Sequence, residues 1–158
     1  ASDTILGEQP MKFMIIRKAD AETEAGVLPS RELIEAMLAY NQEMVDAGVM
    51  VMGEGLAPSR EGARVKFQGG RPVVIDGPFA EARELVGGFS IIDVPSLEDA
   101  IAWVRKWPPL DGHGEAEIEI RRVLSAEDFG EAFTPDLQAK EESMRRQTAG
   151  RGSGEGSA

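Results

Sequence analysis

Hydrophobic patterning along this chain runs in a fixed order of strand, helix, strand, hairpin, strand, helix, strand, and that order limits the fold more than any other feature. Lys12-Phe13-Met14-Ile15-Ile16-Arg17 is a compact apolar run with polar ends, the pattern of a buried strand. The polar stretch from Ala19 to Pro29 reads as turn. Helical spacing begins after Ser30: Leu33, Met37, Tyr40 and Met44 form one stripe, with Ile34, Leu38 and Val45 beside it. Ser30 is the expected N-cap, Glu32 suits the helix dipole, and Gly48 closes the helix. Val49-Met50-Val51-Met52 begins the second strand, which Gly53-Glu54-Gly55 ends or bulges.

Arg64 to Phe67 and Pro72 to Ile75 flank the turn Gln68-Gly69-Gly70-Arg71 and predict a hairpin. Gly88 to Val94 is the next strand. Ser96 caps the second helix with Asp99 in a capping-box-like arrangement, and Leu97, Ala100, Ile101 and Val104 are its expected buried face. Pro108-Pro109 stops that helix, and Ala116 to Val123 alternates as a strand with one wet face. This order predicts an α+β, ferredoxin-like βαββαβ domain with an inserted hairpin, both helices lying on one face of an antiparallel sheet. The other face is then bare, which predicts a homodimer with sheets face to face. Residues 1–10 read as a disordered lead and residues 11–133 as the domain. Residues 134–158 read as a polar C-terminal helix, opened by Thr134-Pro135, and a flexible Gly/Ser tail.

Charge and composition remove several function classes. Lys and Arg number 17 against 28 Asp and Glu, a formal charge of −11, which argues against nucleic acid or anionic membrane as partners. No cysteine is present, so disulfides, thiol nucleophiles and thiolate metal sites are excluded. His113 is the one histidine, so a multi-histidine metal site within one chain is excluded, and no metal is assigned. Glu115, Glu117 and Glu119 alternate as a solvated strand face would. Gly69-Gly70 and Gly87-Gly88 lack the helix-opening context of phosphate loops, so no nucleotide or other cofactor is expected. No segment reaches the roughly 20 apolar residues of a membrane span. The first ten residues have neither a basic start nor a hydrophobic run, so the expectation is a cytoplasmic protein without a signal peptide.

The run Asp76-Gly77-Pro78-Phe79-Ala80-Glu81 concentrates the chemistry. Gly and Pro force a tight turn, yet an acid precedes it and an aromatic and a second acid follow. If Phe79 and Phe89 dry a cleft there, one carboxylate, Asp76 or Glu81, gains a raised pKa and acts as general base. Arg83 or Arg64 supplies a donor for an anionic substrate group. The competing reading is structural, with Asp76 accepting N–H bonds inside its own turn and Glu81 solvated. His113, in a Gly-flanked loop with Asp111 two residues before it to orient the ring, is a third catalytic candidate or an exposed, inert side chain. Tyr40 either lines a ligand pocket or packs in the core, and the glycines around Glu54 aim that acid. The catalytic candidates are therefore Asp76, Glu81 and His113, and the ligand-binding candidates are Tyr40, Glu54, Phe79, Arg83 and Phe89.

Gly53-Glu54-Gly55-Leu56, the Asp76–Glu81 run, Gly87-Gly88-Phe89 and Glu119-Ile120-Arg121 occur together in a chain that, from about Met11 to Phe133, resembles the YCII-related family, in the branch marked by its Asp-Gly-Pro-Phe motif. The Ala126–Phe133 segment is similar to longer members. The resemblance implies a dimeric α/β-barrel assembly of ferredoxin-like subunits. Residues and resemblance together leave two function classes. One is a cofactor-independent enzyme or binder for a small carbonyl-containing molecule, in a cleft near the Asp-Gly-Pro-Phe turn. The other is a non-catalytic regulatory or protein-interaction module linked to sigma-factor-type transcription control, working through Phe129, Phe133 and the C-terminal helix. Smaller members suggest a His-Asp pair near the first helix, and in this chain the segment Ser30–Ala47 holds no histidine.

Overall fold

A computed structural model describes residues 11–80 and 84–151, divided into two compact units, Ala1–Val123 and Leu124–Ala158. In the first unit, β1 (Met11–Lys18), β2 (Met50–Gly55), β5 (Val86–Val94) and β6 (Ile118–Arg122) form one antiparallel sheet in the order β2-β5-β1-β6. With α2 (Arg31–Asp46) between β1 and β2 and α3 (Leu97–Val104) between β5 and β6, this is the ferredoxin-like arrangement the sequence order predicts. The hairpin of β3 (Ala63–Gln68) and β4 (Arg71–Asp76) is a separate two-stranded sheet inserted between β2 and β5. Its turn uses Gly69 and Gly70 at φ 57° and 78°, the left-handed pair that a two-residue hairpin of matching twist requires.

The pleat assigns the faces. Phe13 pairs with Ile92 and Ile15 with Ser90, and these residues point toward the helices. Phe13, Ile15, Tyr40, Met44, Ile92, Val94 and Ala100 form the buried core, with Met37, Trp103 and Trp107 packed against it. Full burial of each large side chain contributes about 1.5–3 kcal/mol. The Tyr40 hydroxyl donates to the Trp103 carbonyl at 2.7 Å, tying α2 to α3 across the core, and burial pushes its pKa up to about 12. The opposite face carries Met14, Ile16, Phe89 and Ile91, all half-buried, and neither α2 nor α3 packs there.

Two local expectations are corrected and a third is sharpened. The stretch taken as turn contains a short helix, α1 (Ala21–Ala25), held by a capping box in which Asp20 accepts from the Thr23 N–H at 2.9 Å and the Thr23 hydroxyl oxygen accepts from the Asp20 N–H at 2.8 Å. Five residues are too few for periodicity to reveal. Strand β2 ends at Gly55, within the glycine-flanked segment, but its bulge falls earlier, between Met50 and Met52. On α3, Leu97 and Ile101 are exposed; only Ala100 is fully buried, and the helix turns its Trp103–Val104 side inward because the large indole offers more area to bury.

In the second unit, a tight turn over Ala126–Ala132, capped reciprocally by Ser125 and Asp128, sets Phe129 against Phe133 with ring centroids 5.5 Å apart and planes tilted by 50°. Helix α4 (Pro135–Arg151) buries none of its residues and carries i,i+4 pairs such as Glu141–Arg145 at 2.7 Å. Among the described residues no helix is long and apolar enough to cross a membrane.

Candidate functional site: a cleft at the open end of the sheet

Strand β1 continues its inward-facing series from Phe13 and Ile15 to Arg17, so the third position puts a guanidinium where the helix-covered face would otherwise be apolar. A buried cation needs partners. Arg17 has them: Nε and Nη2 donate to the two oxygens of Asp111 at 3.0 and 2.9 Å, Nη2 also donates to Asp20 at 3.1 Å, and Nη1 donates to the Lys18 carbonyl. The Trp107 indole N–H adds a bond to Asp111 at 2.9 Å. Hydrogen bonding and charge from Asp111 and Asp20 raise the Arg17 pKa against the opposing effect of burial. Burial pulls upward on both acids, but Arg17, with Trp107 for Asp111 and the Thr23 N–H for Asp20, holds each carboxyl below its ordinary value.

This cluster forms the floor of a broad cleft of about 1280 Å³. One wall is α2, through Leu33 and Met37; another is the glycine-rich strand pair Gly53–Gly55 and Gly87–Gly88; a third is the segment Leu56–Glu61. The loop Trp107–His113 closes one side. In that loop Gly112, His113 and Gly114 all take positive φ (60°, 55° and 83°), and His113 is the only non-glycine residue among those described to do so. Its Nε2 lies 2.9 Å from the carboxylate of Glu22 on α1, with both side chains exposed at the cleft rim. This contact joins the loop to α1 above the Arg17 cluster.

Of the candidates named from sequence, His113, Glu54 and Phe89 border the cleft. Glu54 and Phe89 are paired across β2 and β5, on the sheet face that carries Ile16. Asp111 does not orient His113; it serves Arg17 and Trp107, and the imidazole's partner is Glu22. Tyr40 lies in the core. Asp76 ends β4 opposite Ala63, exposed and outside the cleft lining, and Glu81 and Arg83 lie outside the described residues. Arg17, Asp20 and Glu22 were not singled out by sequence; the usable signal was one charged residue at an inward position of an otherwise apolar strand.

The Asp-Gly-Pro-Phe turn buttresses the cleft from outside. Gly77 packs so close to Ser59 that a Cβ there would sit 1.7 Å from the Ser59 carbonyl oxygen. The Phe79 N–H donates to the Ser59 hydroxyl oxygen at 3.0 Å, and Ser59 in turn donates through its N–H and hydroxyl to Glu24 at 3.0 and 2.6 Å. Arg64 lies over the Phe79 ring, 4.0 Å from its centre. The neighbours of Ser59, Pro58 and Arg60, line the cleft, so the turn fixes one of its walls.

An uncharacterised protein of Rhizobium meliloti (strain 1021) is 36% identical over 67 residues, covering 42% of this chain and 54% of that protein. The chain thus spans about half the length of the curated relative it matches. The family model described as the YCII-related domain matches residues 11–125, which include the whole sheet, both covering helices, the hairpin and every described residue of the cleft; the chain belongs to the YCII-related family.

Proposed function

We propose that this protein is a small homodimeric binder, or cofactor-independent enzyme, for a small carbonyl-containing molecule held in the cleft above Arg17. The observation that carries the reading is the His113–Glu22 pair at 2.9 Å on the rim of a cleft, with Glu22 on the same short helix whose Glu24 holds the wall set by the Asp-Gly-Pro-Phe turn. An imidazole beside a carboxylate is the pairing that general acid–base chemistry uses, the carboxylate orienting the ring. In this reading Glu22 stands in for the acid of the family's histidine–acid pair, with the histidine supplied from the Trp107–His113 loop rather than from α2. His113 would move a proton next to a substrate carbonyl, and the apolar wall of Leu33 and Met37 would hold the carbon skeleton. The dimer rests on the half-buried apolar row Met14, Ile16, Phe89 and Ile91, which among the described residues lies outside the core that the helices cover.

Because His113 is the sole histidine, its imidazole gives one resolvable NMR signal, and titration with small 2-oxo acids and lactones reads the site directly. The expected result is a saturable shift of that signal, lost in Glu22→Gln and in Leu33→Asp. A panel that raises the melting temperature without moving the His113 signal would place the ligand elsewhere and defeat the reading.

A second reading has its own observation: Phe129 is 53% exposed beside Phe133 in a groove lined also by Leu124 and Arg145. That surface fits a protein partner of the sigma-factor type. Fluorescence anisotropy with such a partner would give binding abolished by Phe129→Asp; equal binding of variant and parent would remove this reading.

A further inference from the structure

Arg17 stands in the same relation to both members of the rim pair. Its Nη2 donates to Asp20 at 3.1 Å and to Asp111 Oδ1 at 2.9 Å, while Nε donates to Asp111 Oδ2 at 3.0 Å. Asp20 lies two residues before Glu22, and Asp111 two residues before His113. One planar guanidinium therefore holds the bases of two segments whose tips, His113 and Glu22, are 91 positions apart in sequence.

Each base is fixed on a second side as well. Asp20 is the N-cap of α1: its Oδ1 accepts the Thr23 N–H at 2.9 Å while its Oδ2 meets Arg17, so the first turn of the helix is referenced to the cation. Asp111 Oδ2 also accepts from the indole of Trp107, which packs against the core. Between Asp111 and the imidazole comes Gly112, at φ 60°, where a Cβ would stand 3.2 Å from Arg17 Nη2 and 3.7 Å from Asp20 Oδ2. The loop thus passes over the guanidinium at contact distance before it turns His113 out toward Glu22. At the rim the two side chains are 79% and 56% exposed, and an ion pair between solvated groups contributes little to its own alignment. Alignment has to come from the backbones beneath.

We infer that Arg17 is the positioning residue of the His113–Glu22 pair: by bridging Asp20 and Asp111 it fixes the separation of α1 from the Trp107–His113 loop and so holds the imidazole against its carboxylate. The planar fork suits this task, because it engages both oxygens of one carboxylate and still reaches a second acid, which an ammonium on a flexible stem does not do in fixed geometry. The inference rests on the acid–base reading of the pair given above, and Arg17 acts through the pair rather than on the ligand.

The test needs no ligand. Long-range ¹H–¹⁵N spectra of the full chain resolve the ring nitrogens of its only histidine, and the displacement of the Nε2 signal on Glu22→Gln, at identical pH and salt, measures the contact. The same displacement is then measured in two backgrounds. Asp20→Asn keeps an oxygen to cap Thr23 but puts an amide donor where Arg17 now finds an acceptor. Arg17→Lys keeps the charge and loses the fork. In both, the displacement is expected to fall below about half of its parent value, while the backbone amide signals of Phe13 and Ile92 stay in place. A displacement of full size in both backgrounds would overturn the inference. So would a loss accompanied by faster exchange of the Glu24 amide, which bonds to the Asp20 carbonyl at 3.0 Å, since Asp20 would then act only as a helix cap. If Arg17→Lys does not fold, Asp20→Asn decides alone, because it leaves both Asp111 bonds standing. A pair that meets these expectations while 2-oxo acids and lactones leave the His113 signal unmoved would defeat the functional reading and still establish Arg17 as the anchor of the pair.

Discussion

Glu24 grips Ser59 with both carboxylate oxygens, Oε1 accepting the backbone N–H at 3.0 Å and Oε2 the hydroxyl at 2.6 Å. These bonds hold the Glu24 carboxyl below its ordinary pKa and leave the Ser59 oxygen oriented to receive the Phe79 N–H. A residue on the first short helix thereby sets the position of a motif more than fifty residues away in sequence. Ser59→Ala is expected to lower stability by about 1–2 kcal/mol. It should also speed hydrogen exchange at the Phe79 amide, read by NMR beside the urea midpoint.

Gly77 is required for space. With its Cβ position 1.7 Å from the Ser59 carbonyl oxygen, Gly77→Ala forces the turn off that backbone. A loss of about 3 kcal/mol or more is expected, the size seen when a tightly packed contact has nowhere to relax. Differential scanning calorimetry checks it, and a melting temperature within a degree of the parent would refute the close packing.

Removing the main partner of a buried charge is costly. Asp111→Ala leaves Arg17 with Asp20 and the Lys18 carbonyl, and is expected to destabilise by about 3 kcal/mol. The Trp107 indole loses its acceptor in the same variant, so its fluorescence should shift at neutral pH before any unfolding.

The acid limb of stability follows from three carboxyls. Asp20 and Asp111 lie below their ordinary value of 3.8 and Glu24 below 4.5, so each binds protons less readily folded than unfolded. Their stabilisation is fully present above those ordinary values and is lost as pH falls through the lower folded ones. Urea midpoints are expected to be level, as far as these groups decide it, from pH 6 down to about 5, and to drop below pH ~4. Asp111→Asn should lower the plateau and shallow the drop.

His113 sits in left-handed backbone at φ 55°, a conformation that histidine tolerates and β-branched residues resist. His113→Val is expected to cost about 1–2 kcal/mol, whereas His113→Gly should stay within about 1 kcal/mol of the parent. Both remove the contact with Glu22, so thermal melting separates backbone strain from the loss of that contact.

The fold was legible because it depends on local periodicity: the Leu33–Met44 stripe, the Ser30 and Ser96 caps and the Gly69-Gly70 turn each announce their element within a few residues. The site was less so. Arg17 and Asp111 are 94 positions apart, and their bond is a product of strand register and loop path that no spacing rule encodes. His113 was visible as the lone imidazole, but its partner was misjudged, because sequence proximity suggested Asp111 while the left-handed turn carries the ring to Glu22. Asp76 and Phe79 were conspicuous as a motif, and the part of that motif inside the described residues acts on Ser59 rather than on the cleft interior. Leu97 and Ile101 misled for a simpler reason: on an eight-residue helix a single tryptophan outweighs a stripe.

The bonds around Ser59 have a mechanical meaning. Ser59 is clamped between Glu24 on one side and Phe79 on the other, and the Gly77 N–H donates to the Gly62 carbonyl at 3.0 Å, so the base of the hairpin is tied at both of its ends. Pro58 and Arg60, one residue to either side of Ser59, belong to the cleft wall. One serine thereby answers for two boundaries at once, the root of the hairpin and the edge of the opening.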